Sequence, residues 1–169
     1  MWIHKLLDLI FIPNGRCPIC LRVIFFSDDF ICFSCEEKLE VVRGKRCKKC
    51  GKEIEQQMNY CSDCIGNEYH YENGYCLYNY EGSIRKIIHD IKFANCPDLA
   101  AYMGKKLGLS LQACLWIGEV DMLIPVPLHE NRIKVRGYNQ SEKISWGIMQ
   151  SFVDADKFTK ITLEIKCFM

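Results

Sequence analysis

The sequence lacks any apolar run of the length that a membrane-spanning helix needs. Such a helix takes roughly 20 consecutive apolar residues, and no uncharged stretch of this chain approaches that length. The N-terminus also lacks the features of a signal peptide, because Asp8 interrupts its apolar run and no small-residue cleavage site follows. We therefore expect a cytoplasmic protein without a membrane span.

An excess of charge of one sign is also lacking. The 169 residues include 22 Lys and Arg against 21 Asp and Glu, for a formal net charge of +1. This balance provides no overall field that would attract nucleic acid or a membrane surface. With 49% hydrophobic and 25% charged residues, the composition is that of a globular protein and excludes disorder, collagen and a coiled coil. Any nucleic-acid binding must therefore depend on local charge.

Cysteine, by contrast, is abundant, with 12 residues. In the cytosol thiols stay reduced, so clustered cysteines there indicate metal ligands rather than disulfides. Two Cys-x-x-Cys pairs supply the four thiolates of a tetrahedral site, for which zinc is well suited. We predict two zinc ions with four cysteines each, while Cys76 and Cys114 are predicted to be core residues. The eight ligands form four such pairs: Cys17 and Cys20, Cys32 and Cys35, Cys47 and Cys50, Cys61 and Cys64.

The pairing and the metal leave alternatives open. A tandem arrangement, with the first two pairs on one ion and the last two on the other, closes shorter loops than a cross-braced arrangement. Iron–sulfur clusters use similar cysteine spacings. Residues from about 15 to 66 read as short hairpins and knuckles after an amphipathic helix over 2–11, and they offer little apolar core. Structural zinc contributes roughly 10–16 kcal/mol of apparent binding energy, so we expect the metal to hold this region folded.

A basic segment surrounds the third cysteine pair. Its six positive charges without an acid are typical of a nucleic-acid contact. In a second interpretation, these charges offset the negative charge of the zinc-thiolate sites. Three tyrosines, Tyr60, Tyr69 and Tyr71, are able to stack on bases, although burial is the commoner outcome for tyrosine in a small fold. The basic residues are Arg43, Lys45, Arg46, Lys48, Lys49 and Lys52.

After Gly66 the composition becomes that of an α/β domain. Aromatic and apolar runs predict strands, and apolar residues at i, i+3, i+4 and i+7 predict helices. Helices that alternate with strands are typical of a parallel sheet. The predicted elements are a strand over 74–80, a helix from Ser83, a helix from Pro97 to about Trp116, a buried strand over 121–127 and a helix from Gln140 to about Phe152.

A proline-stiffened loop leads into an arginine- and glycine-containing segment at the start of the last predicted helix. A guanidinium that can fork to a phosphate, a glycine turn and a helix N-terminus together favour an anion site. A simple loop with a helix cap would also explain these residues. The candidates for anion or phosphate binding are Arg132, Arg136, Gly137, Asn139 and Gln140.

Together with the four cysteine pairs, three further segments occur in an order that resembles the ComF family of bacterial natural competence. These segments are Tyr80-Glu81-Gly82-x-Ile84-Arg85 with Ile88 through Lys92-Phe93, Pro125-Val126-Pro127-Leu128-His129 and Arg136-Gly137-Tyr138-Asn139-Gln140-Ser141. The resemblance covers residues from about 10 to 150. It implies a double zinc ribbon followed by a type I phosphoribosyltransferase-like domain. It also implies a role in handling incoming single-stranded DNA, with that DNA and proteins of the competence machinery as partners.

The sequence departs from this family at the donor site. A phosphoribosyltransferase binds phosphoribosyl pyrophosphate with two adjacent acids and a Thr/Gly-rich loop. Here Asp154 and Asp156 are separated by an alanine, and no Thr-Gly pair follows. We therefore expect a C-terminally truncated chain without transferase activity. The alternatives are a phosphoribosyltransferase-type enzyme acting on a nucleotide-related substrate and an inactive truncated product.

The predicted domain organisation follows from these observations. Residues 1–70 form the N-terminal helix and the double zinc ribbon. Residues 71–150 form an incomplete α/β domain, the N-terminal part of a phosphoribosyltransferase-like fold. Residues 151–169 form a tail that the family pattern does not match.

Overall fold

The computed structural model describes residues 15–24, 29–153 and 162–163. The chain divides into two compact units, one made of residues up to 33 and from 86 onward, the other of residues 34–85. The helix predicted over 2–11 lies outside the described residues, as do Asp154 and Asp156. The boundaries predicted at 70 and 150 concern sequence domains and stay predictions.

The unit of residues 34–85 contains little regular structure. It follows the start of a short helix, α1 (Phe33–Glu36), and is joined mainly by isolated antiparallel bridges. The strand predicted over 74–80 is wrong as a continuous strand, since Tyr78 alone forms a bridge there, to Val41. Part of the reason is that the carbonyl of Cys76 accepts a hydrogen bond from the guanidinium of Arg46 instead of from a ladder partner.

Helices dominate the chain after residue 81. The three helices predicted from apolar periodicity are confirmed, although the second ends at Leu111 rather than near Trp116 because the chain becomes extended at Cys114. A turn of 3-10 helix follows. The elements are α2 (Gly82–Phe93), α3 (Pro97–Leu111), the 3-10 turn (Leu115–Glu119), α4 (Glu130–Arg136) and α5 (Gln140–Val153).

Helix α4 lies in the segment where the sequence indicated only a loop. It has no buried residue, so its sequence carries none of the apolar periodicity that reveals the other helices. Its ends are fixed locally. The ring Nδ1 of His129 accepts a hydrogen bond from the N–H of Asn131 at 3.2 Å, and Gly137 ends the helix with a φ of 80°.

Two short parallel strands are the only sheet among the described residues. β1 (Met122–Leu123) pairs with β2 (Thr162–Leu163), in the parallel direction that the alternation of elements predicted. The buried strand predicted over 121–127 is wrong in length and burial, because Met122, Ile124 and Val126 are exposed. Two paired residues cannot cover these side chains.

Helices α3 and α5 pack with their backbones in close contact. A Cβ at Gly104 would overlap the carbonyl of Ile144, and one at Gly147 would overlap the carbonyl of Ala101. A Cβ at Gly108 would likewise come too close to α5. Glycine at these positions lets the two helices approach each other, and no larger residue fits without separating them.

Tyr138 joins the segment after α4 to the end of α2. Its hydroxyl donates a 2.5 Å hydrogen bond to the carbonyl of Ile91, one of the last-turn carbonyls that have no partner within the helix. Burial raises the pKa of Tyr138 to about 12, so the hydroxyl stays protonated and able to donate throughout the physiological range.

The close approach of α3 and α5 leads to the first prediction. Gly147→Ala should lower the free energy of unfolding by about 2–3 kcal/mol, because the added methyl group forces two backbones apart. The change is measurable by urea unfolding of the zinc-loaded protein, followed through the fluorescence of Trp116 and Trp146. Gly118→Ala is the matched control, since nothing lies within 4 Å of a Cβ there. Equal unfolding curves for the two variants would contradict the packing described.

Candidate metal centres and nucleic-acid surface

The first and third cysteine pairs lie on hairpins of the same construction. In both, the N–H of the first cysteine donates to the carbonyl five residues later, at 2.9 Å from Cys17 and 2.8 Å from Cys47. The hairpins close with bridges between residues seven apart, Arg16 with Val23 and Arg46 with Glu53. The near-repeat in the sequence is therefore one structural unit used twice.

The residue after each of these pairs adopts a left-handed conformation. Leu21 has a φ of 62° and Gly51 a φ of 76°, and each N–H donates to the carbonyl of the first cysteine of its pair, Cys17 or Cys47. Glycine adopts this conformation freely, whereas leucine does so at a cost in conformational energy. The first hairpin is therefore strained at a position where the second is not.

The cysteine pairs converge in tandem, as predicted. One cluster contains the sulfurs of Cys17, Cys20, Cys32 and Cys35, and the other those of Cys47, Cys50, Cys61 and Cys64. Within each cluster all four sulfurs lie within 4.8 Å of one another. The sulfurs of Cys20 and Cys32 are 3.6 Å apart, as are those of Cys50 and Cys61. Thiolates at ~2.3 Å around one tetrahedral ion are about 3.8 Å apart, so each cluster has the dimensions of a single-ion site. The cross-braced alternative is wrong.

The chemistry of the donors also fits zinc. Four sulfur ligands in a tetrahedral arrangement indicate zinc or iron, and an iron–sulfur cluster would need more space between the sulfurs than a single ion does. None of the described cysteines forms a disulfide. The two clusters therefore support two zinc ions, each bound by four cysteines.

The thiols of the second cluster differ in acidity. Burial opposes ionisation of Cys47, but backbone N–H groups, first that of Cys50 and then that of Cys61 at 3.3 Å, lower its pKa to about 6. Burial and the neighbouring thiols raise the pKa of Cys64 to about 12. A bound zinc ion would hold all four groups as thiolates, and protons would compete with it as the pH falls.

Three residues of the basic segment are tied to other parts of the unit. The guanidinium of Arg46 donates to two backbone carbonyls and lies 4.6 Å from the ring centre of Tyr75. The ammonium of Lys45 donates to a backbone carbonyl at 2.8 Å. Lys52 forms a 3.1 Å ion pair with Asp63. These three side chains therefore make contacts within the unit.

The remaining basic residues of the segment are Arg43, Lys48 and Lys49, of which Lys49 lies near an exposed tyrosine. Arg43 and Lys48 are exposed, and the Lys49 ammonium lies 5.1 Å from the ring centre of Tyr71. The expectation that the tyrosines are buried is wrong, because Tyr60, Tyr69 and Tyr71 are 44%, 39% and 43% exposed. Cations and aromatic rings therefore share one region of the second ribbon.

The residues predicted to bind an anion lie in and next to a loop between α4 and α5 that is held by side-chain hydrogen bonds. The guanidinium of Arg136 donates to the Gln140 side-chain carbonyl at 2.9 Å. The amide of Asn139 donates to the Val126 carbonyl at 3.1 Å, and its oxygen accepts from the N–H of Ser141. Arg132 lies on the exposed helix α4 and Gly137 at its end. Ser141, which also donates to the Val126 carbonyl, was not identified from the sequence.

The strained leucine leads to the second prediction. Leu21→Gly should stabilise the first hairpin by about 1 kcal/mol, since glycine removes the steric cost of a positive φ and the leucine is 61% exposed. The measurement is the chelator concentration that removes the zinc ion of the first cluster. Leu21→Ala is the control, because it shortens the side chain but keeps the unfavourable Cβ. Equal resistance to the chelator in both variants would contradict this account of the strain.

Comparison with known proteins agrees with the two clusters. A model of the double zinc ribbon domain family matches residues 6–65. The chain is 22% identical to competence protein F of Haemophilus influenzae over 90% of its own length and 67% of that protein. It is 22% identical to competence protein ComFC of Bacillus subtilis, over 85% of the chain and 62% of the relative. A third relative is DNA utilization protein YhgH of Salmonella typhimurium, 24% identical over 76% of the chain and 57% of that protein.

The N-terminal region is thus a double zinc ribbon, followed by a largely helical region. This ribbon and the three relatives support the resemblance to the ComF family. The chain spans less than two thirds of the length of the Bacillus and Salmonella relatives. No solved structure matches it significantly. Within the described part of the chain, no helix has the length and apolarity to cross a membrane.

Proposed function

We propose that this protein acts in the cytoplasm in DNA uptake during competence, where it handles incoming single-stranded DNA with other proteins of the competence machinery. The names of two relatives refer to competence and that of the third to DNA utilization. The observation that carries the proposal is the surface of the second ribbon, where the Lys49 ammonium lies near the exposed ring of Tyr71. Lys48, next to Lys49 in sequence, is exposed, as are Tyr60 and Tyr69.

This surface offers the two kinds of group that a single strand requires. Lysine and arginine side chains neutralise phosphates and release counterions, while exposed aromatic rings stack on unpaired bases. The chain as a whole is nearly neutral, so the attraction depends on this local surface. Arg46 is less available to a phosphate, because its guanidinium donates to two backbone carbonyls of the unit.

Charge reversal at the exposed lysine tests this proposal and is the third prediction. Lys48→Glu should weaken binding of a labelled single-stranded oligonucleotide several-fold. It should also lower the magnitude of the slope of log affinity against log salt by about 0.7, the value for one lost phosphate contact on a single strand. Fluorescence anisotropy over a range of salt concentrations measures both quantities.

The matched control is Lys38→Glu, an equal change of charge at an exposed lysine of the same unit outside the basic segment. It should leave the affinity and the salt slope nearly unchanged. If the two variants bind the oligonucleotide equally well, the basic segment is not the binding surface. Zinc content must stay at two ions in both, so that a loss of binding does not reflect unfolding.

For the second half we propose a partial phosphoribosyltransferase-like fold with an anion site at the α4–α5 loop. Its support is the parallel pairing of β1 and β2 across two helices and the rigid loop that carries the predicted residues, Arg132, Arg136, Gly137, Asn139 and Gln140. The sequence lacks the adjacent acids and the Thr-Gly pair of a donor site, so we propose no transferase activity. Release of pyrophosphate from phosphoribosyl pyrophosphate by the pure protein would contradict this.

A further inference from the structure

The second zinc ribbon contains a cavity beside its last cysteine pair. The cavity has a volume of about 550 Å³ and is lined in part by Tyr60 and Tyr69. Ile65 adds an apolar wall, while Lys49, Glu68 and His70 contribute polar groups. Aromatic walls with a few polar groups are typical of a site for a flat heteroaromatic ring.

The aromatic wall is held in place by bonds within the ribbon. The hydroxyl of Tyr69 donates to the carbonyl of Asp63 at 3.0 Å, and the side-chain amide of Asn67 donates to the same carbonyl at 2.9 Å. The ring also lies near that of Tyr71, with ring centres 5.5 Å apart. The ring of Tyr69 is therefore oriented before any ligand arrives, which reduces the entropy lost on binding.

A cation lies next to this wall. Lys49 lines the cavity, and its ammonium lies 5.1 Å from the ring centre of Tyr71. Lys48, next in sequence, is exposed. A ligand with a flat ring and a neighbouring negative charge would thus contact the tyrosines with its ring and the lysines with its charge. A nucleotide within a strand has both groups.

We propose that this cavity binds one unpaired base of a single strand, stacked on Tyr69, with an adjacent phosphate directed toward Lys49. The inference rests on the proposed function and names the side chains that would contact the base. A base within a duplex is stacked between its neighbours and cannot enter. The edge of the bound base would meet Glu68 and His70, which accept or donate hydrogen bonds.

An apolar side chain of a partner protein is a less suitable occupant. Among the residues that line the cavity, Lys49, Glu68 and His70 have polar side chains, and burying them under an apolar side chain would leave polar groups without water or a partner. A base offers ring nitrogens and exocyclic groups that can satisfy them. The chemistry of the lining therefore favours a nucleobase.

The test compares an intact single-stranded oligonucleotide with an abasic strand of the same length and charge. Both probes present the same phosphates, so their difference in affinity isolates the contribution of the bases. We expect the zinc-loaded full chain to bind the intact strand about tenfold or more tightly than the abasic strand, within the range that stacking on an aromatic side chain supplies.

Tyr69→Leu should remove most of this difference and leave binding of the abasic strand unchanged. Tyr69→Phe should keep it, because the ring remains. Tyr80→Leu is the matched control: Tyr80 is an exposed tyrosine of the same unit, with the guanidinium of Arg85 at 5.5 Å from its ring centre, and it does not line the cavity. If Tyr69→Leu loses zinc, Tyr60→Leu replaces it, with the same expected result.

The outcomes separate this inference from the proposed function. Equal affinity of the wild-type protein for intact and abasic strands, with normal salt dependence, would overturn the base site and leave DNA binding in place. Failure to bind either strand at low salt would overturn both. A difference that persists in both Tyr69→Leu and Tyr60→Leu would show that the bases are bound elsewhere and would overturn the assignment to this cavity.

Discussion

Coordination of cysteine sulfur by zinc is the interaction on which the N-terminal region depends. In the second ribbon the buried cluster consists of Cys47, Cys61 and Cys64, with Cys50 and Ile54 packed against it. Four of these five residues are the ligands themselves. Without the metal, this ribbon would have almost no apolar core to offset the conformational entropy of its loops, so metal binding and folding are one process here.

This constraint also shapes the surface. Because the metal site supplies the stability, the ribbon does not need its tyrosines in a core, and they remain available at the surface next to the basic segment. Because the metal site supplies the stability, residues of the basic segment also differ in their contacts. Arg46 replaces missing ladder partners by binding backbone carbonyls, whereas Arg43 and Lys48 are exposed.

Much of this could be predicted from the sequence, where the physical signal is local or periodic. The cysteine spacing predicted the metal ligands, and the shorter loops predicted the tandem pairing of the cysteine pairs. Apolar periodicity predicted α2, α3 and α5. Helix α4 had no such signal because it buries nothing. The strands were overestimated since their pairing depends on distant residues, as with Tyr78 and Val41. The left-handed Leu21 could have been found by aligning the first hairpin with the second, where Gly51 occupies the same position.

The zinc content of a double variant tests the central claim most directly. In Cys17→Ser combined with Cys32→Ser, both substitutions fall in one cluster. Metal analysis of the protein, purified without oxygen, should find two zinc ions in the wild type and one in the variant, because the second cluster is intact. Complete loss of zinc from the variant would contradict two independent tandem sites, and iron with sulfide in the wild type would contradict zinc itself.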